Sequence, residues 1–248
     1  VACRNKYVVT GSVDGKVKVW QQDEPYEMVK EFAASALSVV SVASTGSVVI
    51  SSSLDSHLKA WDIATGEQLA DIDCGPVDTW AVAVNPTNPL LVATTGQSGH
   101  VNIWNIKEGT KVTTLETSNA KFTMSVAWSA DGKLIACGSM DGIINIFNES
   151  GAKKHTIEAH TGCIRALSFS SDGKTLVSGS DDTFVHIYET TSGQLLRTIS
   201  GHTSWVLSVA VSPNNKFIAS GSNDKQVKVW DLASGEALSS LNKEHTEA

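Results

Sequence analysis

The stretch Gly201-His202-Thr203-Ser204-Trp205-Val206-Leu207-Ser208-Val209, followed by Ser220-Gly221-Ser222-Asn223-Asp224-Lys225-Gln226-Val227-Lys228-Val229-Trp230-Asp231, carries a complete structural unit. Residues 204–211 form an apolar run that reads as an inner strand. Residues 216–222 read as a second strand. In residues 226–230, Val227 and Val229 alternate with Lys228, the period of a half-buried strand. Residues 236–241 complete the unit as a short outer strand. The connectors carry turn chemistry: Ser212-Pro213-Asn214-Asn215, Ser222-Asn223-Asp224 and Leu232-Ala233-Ser234-Gly235.

The unit recurs. An aromatic follows an aspartate-type position by six residues at Asp14/Trp20, Asp55/Trp61, Ser98/Trp104, Asp141/Phe147, Asp182/Tyr188 and Asp224/Trp230. The aromatics are spaced by 41, 43, 43, 41 and 42 residues. A fixed period of that length is the mark of a repeat architecture. Six units are recognisable, at approximately 1–33, 34–74, 75–118, 119–158, 159–200 and 201–243, within one domain over 1–248. Glu244-His245-Thr246 then reads as the start of a further repeat, and Val1-Ala2-Cys3 as the tail of an inner strand.

This pattern resembles the WD-repeat family. The resemblance implies an all-β propeller with seven blades in the full-length protein, six of them recognisable here. In that family a histidine, a Ser or Thr of the second strand, the turn Asp and the Trp form a buried hydrogen-bonded tetrad. The sixth repeat matches it with His202, Ser220, Asp224 and Trp230, and the fifth with His160, Ser178, Asp182 and Tyr188 in place of Trp. The first repeat has Thr10, Asp14 and Trp20, and the second has Ser51, Asp55 and Trp61, both without the histidine. The third has Thr94 and Trp104 with Ser98 at the Asp position. The fourth has Asp141 with Cys137 and Phe147.

Composition narrows the function. A net charge of −7 and a pI near 5.5 argue against a surface that grips phosphate backbones, and no direct nucleic-acid contact is expected. The apolar runs are short, residues 89–93 for example, so no transmembrane helix and no membrane partner is expected. Cys3, Cys74, Cys137 and Cys163 contain no C-x-x-C pair and read as reduced, buried thiols of an intracellular protein.

Several stretches imitate chemical sites. Gly173-Lys174-Thr175 ends like a phosphate loop, but Ser168 stands where a glycine is required and the segment joins two strands. Gly11-Ser12-Val13-Asp14-Gly15-Lys16 is a residue short. The recurrent Ser, His and Asp suggest a hydrolase, yet the tetrad accounts for them and no Gly-x-Ser-x-Gly elbow is present. His57, His100, His155 and His186 have no second ligand at metal spacing. Asn148-Glu149-Ser150 is a glycosylation sequon that has meaning only in a secreted chain. No catalytic residue, cofactor or metal is expected.

Binding is expected where the inner strands begin, on the face carrying the Asp turns. The first inner-strand positions are Ser38, Asp78, Phe122, Cys163 and Trp205, and two residues on lie Val40, Trp80, Met124, Arg165 and Leu207. Before the turn aspartates come Val13, Leu54, Gln97, Met140, Asp181 and Asn223. The candidate partner-binding set is Trp205, Trp80, Phe122, Leu54, Met140, Asp78 and Arg165, apolar where a polar rim is the default. The tryptophans and Phe122 read equally as residues of blade packing.

A narrower resemblance rests on Gly75-Pro76-Val77-Asp78-Thr79-Trp80, residues 51–57, Ser125-Val126-Ala127-Trp128-Ser129, residues 138–147 and residues 201–209. These are similar to the WD-repeat subunit of the Ski complex. That resemblance implies a non-enzymatic scaffold joining a tetratricopeptide protein and a helicase in a cofactor of the cytoplasmic RNA exosome, which degrades mRNA 3′ to 5′. Animal and plant members also join the nuclear Paf transcription-elongation complex, and fungal members serve in meiotic recombination. Cytoplasm and nucleus are the compartments it implies. Two other readings stay open: an adaptor of another assembly, such as a ubiquitin-ligase receptor or a ciliary complex, and an enzyme or small-ligand binder built on the propeller channel.

Overall fold

The computed structural model describes residues 1–4, 6–75 and 79–241. All its regular secondary structure is strand, arranged as six four-stranded sheets in which consecutive strands are neighbours. These are six β-propeller blades, as the repeat predicts. Asp78 and the further repeat expected from residue 244 lie outside the described residues.

The chain falls into two compact units, Val1–Thr123 and Met124–Ala248. In the first, blade one holds β1 (Ala2–Arg4), β2 (Tyr7–Gly11), β3 (Lys16–Gln21) and β4 (Met28–Ala33). Blade two holds β5 (Val39–Ser44), β6 (Val48–Ser53), β7 (His57–Asp62) and β8 (Gln68–Asp73). Blade three holds β9 (Ala81–Val84), β10 (Leu91–Thr95), β11 (Val101–Asn105) and β12 (Thr110–Leu115). In the second unit, blade four holds β13 (Thr123–Trp128), β14 (Leu134–Ser139), β15 (Ile143–Asn148) and β16 (Lys153–Glu158). Blade five holds β17 (Ile164–Phe169), β18 (Thr175–Ser180), β19 (Val185–Glu189) and β20 (Leu195–Ile199). Blade six holds β21 (Val206–Val211), β22 (Phe217–Ser222), β23 (Val227–Asp231) and β24 (Ala237–Leu241).

The core consists of blade-to-blade seams. Val9, Val17, Val19 and Phe32 of blade one pack on Val39, Val49 and Trp61 of blade two. Ile50, Leu58 and Ile72 of blade two pack on Val82, Val92 and Trp104 of blade three. In the second unit, Ala136, Ile144 and Ile146 meet Ile164, Leu176 and Tyr188. Val177, Val185 and Ile187 meet Val206, Ile218 and Trp230. At these four seams the repeat aromatic faces the preceding blade. In all six blades the pairing of the third and fourth strands shifts register immediately before that aromatic, at Trp20, Trp61, Trp104, Phe147, Tyr188 and Trp230. The extra residue belongs to the fourth strand, for example Leu69 opposite Ala60 and Trp61. Alternation along the third strand puts Leu58 and Ala60 on one seam and Trp61 on the other.

Close approach at the seam requires glycine. A Cβ on Gly11, Gly138 or Gly179 would lie 2.6, 2.5 or 2.7 Å from Val39, Ile164 or Val206 of the next blade. Gly221, at the matched position of blade six, has nothing within 4 Å. The same face of blade six leaves Ala219 exposed and Leu241 55% exposed, where Val177 and Ile199 of blade five are at 0% and 3%.

Gly179→Ala should thus lower stability by about 1–3 kcal/mol through overpacking. Gly221→Ala should leave it within about 0.5 kcal/mol of the parent. Urea midpoints of the two variants check this, and equal losses would contradict the seam geometry.

Candidate functional site

The Asp turns between second and third strands set the geometry of the face expected to bind. In blade six the Asp224 carboxylate accepts from the backbone N–H of Thr203 (3.0 Å) and Gln226 (3.0 Å), and pairs with His202 Nδ1 at 2.8 Å. His202 Nε2 lies 2.7 Å from Ser220 Oγ, and Trp230 Nε1 donates to the same oxygen at 2.8 Å. All four expected members are joined and buried, as satisfaction of interior polar groups demands.

Blade five repeats the imidazole part: His160 Nδ1 to Asp182 at 2.9 Å and Nε2 to Ser178 Oγ at 2.6 Å. Tyr188 differs. Its hydroxyl donates to the Ala159 carbonyl at 3.0 Å and lies 2.9 Å from His186 Nδ1. His186 stacks on His160, centroids 4.0 Å apart. Burial, then the neighbouring His186, push His160 down to about 4, against the opposing pull of Asp182. Asp182 is itself lowered, although its burial opposes this, by His160 and by backbone donors.

The remaining blades use fragments of the network. Trp20 Nε1 donates to Thr10 and Trp104 Nε1 to Thr94, at 3.1 and 2.9 Å. In blade two Ser51, expected as the tetrad hydroxyl, is buried with no hydrogen-bond partner. Asp55 is held instead by the hydroxyls of Ser35 (2.6 Å) and Ser53 (2.5 Å). Ser35 stands where a histidine would, a short substitute that the spacing alone does not reveal.

With the turns anchored, the residue before the aspartate is drawn to the first position of the inner strand in blades two, five and six. Leu54 N–H donates to the Ser38 carbonyl, Asp181 N–H to Cys163 and Asn223 N–H to Trp205, at 3.0, 3.0 and 2.9 Å. In the second unit this builds a defined cluster. Arg165 donates from Nε and Nη2 to the two carboxylate oxygens of Asp181, at 2.5 and 2.9 Å. Its guanidinium lies over the Trp205 ring, 5.0 Å from the centroid. Trp205 is 48% exposed and Met140 60% exposed. In the first unit Leu54 is exposed at 54%, and Trp80 and Phe122 are half-buried with rings edge-to-face at 5.5 Å.

The structure thus brings Arg165 to Trp205 and Trp80 to Phe122. Asp181 is the residue that sequence reasoning passed over as a site member. The available signal was an acid before the turn in the same repeat that carries Arg165 on its inner strand. Leu37, 51% exposed beside Ser38, was passed over as well.

Catalytic chemistry finds little support. Burial pushes the Cys137 thiol up to about 12 and Cys163 up to about 11, so both are protonated at neutral pH and poor nucleophiles. Among the described residues no three His, Cys, Asp or Glu side chains gather as a metal site requires, and no helix is long and apolar enough to cross a membrane.

Comparisons place these features among known proteins. Residues 79–247 match the family model described as the second β-propeller of echinoderm microtubule-associated protein, and residues 2–21 match the WD domain, G-beta repeat. WD repeat-containing protein VIP3 of Arabidopsis thaliana is 36% identical over 182 residues, 67% of this chain and 56% of that protein. WD repeat-containing protein SL1-17 of Schistosoma mansoni is 34% identical over 197 residues, 78% of this chain and 65% of that protein. Meiotic recombination protein rec14 of Schizosaccharomyces pombe is 26% identical over 191 residues, 74% and 63% of the two chains. The chain spans less than two thirds of the length of each of these relatives. Among solved structures, the computationally designed Ika8 protein superposes with a TM-score of 0.80 at 26% identity, over 99% of this chain and 74% of that one.

Two measurements probe the tetrads. His202→Ala should cost about 1–3 kcal/mol by leaving Asp224 and Ser220 short of a buried partner, and Trp230→Ala about 3–5 kcal/mol through a cavity. If both variants melt with the parent, the network is not buried. The second measurement is pH dependence. Unfolded His160 takes a proton near 6.5, whereas the folded ring resists to about 4. Its contribution is therefore complete above pH 6.5 and is lost as pH falls toward 4, on the order of 3 kcal/mol. Urea midpoints over that window should fall less steeply in His160→Gln than in the parent, and parallel slopes would rule the assignment out.

Proposed function

Because the chain belongs to the WD-repeat β-propeller family, we propose that it is a non-enzymatic scaffold of the Ski complex that supports exosome-mediated 3′–5′ mRNA decay. It also serves the Paf transcription-elongation complex, acting in cytoplasm and nucleus. A tetratricopeptide-repeat subunit and a helicase subunit are its partners, with Paf-complex subunits in the second role. Neither nucleic acid nor membrane is contacted directly.

The observation that carries the reading is the half-exposed Trp205, backed by the Arg165–Asp181 pair at the start of β21. A large aromatic held rigid by a charged neighbour, with one side open to water, has the make-up of an interface anchor. Met140, exposed in the same unit, supplies a lesser contact in the same scheme, and Leu54, Trp80 and Phe122 form a candidate surface of the first unit. The similarity to VIP3 supports the choice of family member. So does rec14, whose name places it in meiotic recombination, as the resemblance implies for fungal members.

One observation favours a second reading. The family model matching residues 79–247 is named for a microtubule-associated protein, which suits an adaptor in a cytoskeletal or ciliary assembly. Affinity purification with partner identification separates the two: Ski and Paf subunits in one case, cytoskeletal proteins in the other.

The site is tested by Trp205→Ala. The variant should melt with the parent while capture of the tetratricopeptide partner weakens by about 2 kcal/mol or more, roughly 30-fold. Leu54→Ala and Met140→Ala should give smaller losses, and Glu236→Lys on the outer surface none. Unfolding of Trp205→Ala would make the residue core, and parental affinity in a folded variant would move the search to the lateral blade surfaces.

A further inference from the structure

The end of β21 opposite Trp205 borders a groove between blades five and six, with a volume of about 360 Å³. Its apolar walls are Ile187, Leu196 and Leu232, and Leu196 is 51% exposed. Thr175, Asn215 and Arg197 supply its polar atoms. Arg197 and the Asn215 amide are its donors at the surface, while the Thr175 hydroxyl, able to donate and accept, is shielded from water. The Asn215 side-chain oxygen accepts from Ser171 N–H at 2.7 Å, which leaves its NH₂ to give. Arg197 is exposed and, among the described residues, forms no ion pair.

The acids nearby accept from their own turns, and Asp231 also feels the charge of Arg197 without pairing with it. Asp172 accepts from Ser170 Oγ (2.6 Å) and Lys174 N–H (3.1 Å). Asp231 accepts from Ala233 and Ser234 N–H (3.0 and 2.7 Å), and Glu189 from Ser192 Oγ (2.5 Å). Lys174 precedes Thr175 and Lys216 follows Asn215 in the chain, which adds two more cations without an ion pair at the same end of the blades.

The seam between blades four and five shows the same positions satisfied internally. His155 pairs opposite Ile146 as Arg197 pairs opposite Ile187. It lies against Gly193, and its Nε2 is 3.0 Å from the Thr191 carbonyl. Thr190, matched to Leu232, donates to the carbonyl of Gly173 at 2.6 Å. In the groove between blades five and six Arg197 lies against Gly235 in the same way but, among the described residues, without an ion pair, and the apolar Leu232 takes the place of Thr190.

We propose that the groove between blades five and six binds an extended acidic segment of a partner protein. One large apolar side chain of that segment rests on Ile187, Leu196 and Leu232, and an adjacent carboxylate meets Arg197. An exposed, fork-shaped guanidinium without an ion pair among the described residues suits a carboxylate, and Lys174 and Lys216 at the same end add to its positive field. The apolar walls, which offer a side chain a surface but a phosphate backbone none, favour a peptide over a nucleic acid. This surface is separate from the Trp205 cluster, so each stands or falls alone.

The test is selection of a random dodecapeptide phage library on the full chain, followed by affinity measurement with the enriched peptides made synthetically. Peptides pairing Asp or Glu with Leu, Ile or Phe should enrich. Their affinity should fall about tenfold or more in Arg197→Glu and in Leu196→Ser, both exposed positions whose variants should melt with the parent. Arg197→Lys should retain most of the binding, and Trp205→Ala all of it. The proposal is overturned if no acidic peptides enrich, or if Arg197→Glu binds them as the parent does. It is also overturned if a labelled single-stranded oligonucleotide occupies the groove in an Arg197-dependent manner where the peptides do not.

Discussion

A four-stranded sheet cannot bury its own apolar face, and in this protein every seam within each unit solves that by resting the face on the next blade. Glycine at positions 11, 138 and 179 lets the neighbouring strand approach to side-chain contact. The repeat aromatic closes the seam from the other side, carried there by the alternation of the third strand. Packing of this kind is short-range and directional along the chain, so each blade depends on its successor and only weakly on more distant ones. The polar groups follow from that dependence. A seam that swallows an indole or an imidazole must also supply its hydrogen bonds, and the turn aspartate with its serine or threonine meets the need.

The same aspartate connects stability to presentation. By fixing the turn it draws the preceding residue onto the first position of the inner strand, as Asn223 is drawn to Trp205 and Asp181 to Cys163. Arg165 and Trp205 come together across two blades because both turns are anchored from below. The exposed ring is thus held by an interior network that never touches a partner. At the other end of the strands the turn aspartates are held by their own Ser hydroxyls and backbone N–H groups, and the neighbouring cations influence them through space without forming ion pairs among the described residues.

Much of this was legible in the sequence because the repeat is strict where sterics are strict. The Asp-to-aromatic spacing survives in all six units, and with it the strand count and the position of each turn. The tetrads of blades five and six were readable from His, Ser and Asp at matched offsets. Blade two was not, because a serine hydroxyl at Ser35 reaches Asp55 only through the path of the backbone. The bulges were hidden because the extra residue sits in the outer strand, whose mostly exposed residues carry no clear alternation for it to break. Exposure of Trp205 against half-burial of Trp80 could not be read from repeat positions, since it depends on which side chain lies across the ring. For Trp205 that is Arg165, itself held by an acid sixteen residues on, and for Trp80 it is the edge of Phe122.

The repeat aromatic is common to all six blades, whereas the full imidazole network is present in one. The ring stays seated without an imidazole, because Thr10 or Thr94 serves one indole and Phe147 needs no partner at all. A seam is therefore sealed by a ring and at most one hydroxyl. The imidazoles of His160 and His202 add bonds of their own to the turn aspartates, three residues ahead of Cys163 and Trp205. Their effect is stiffness where the inner strands begin, beneath a ring that stands open to water.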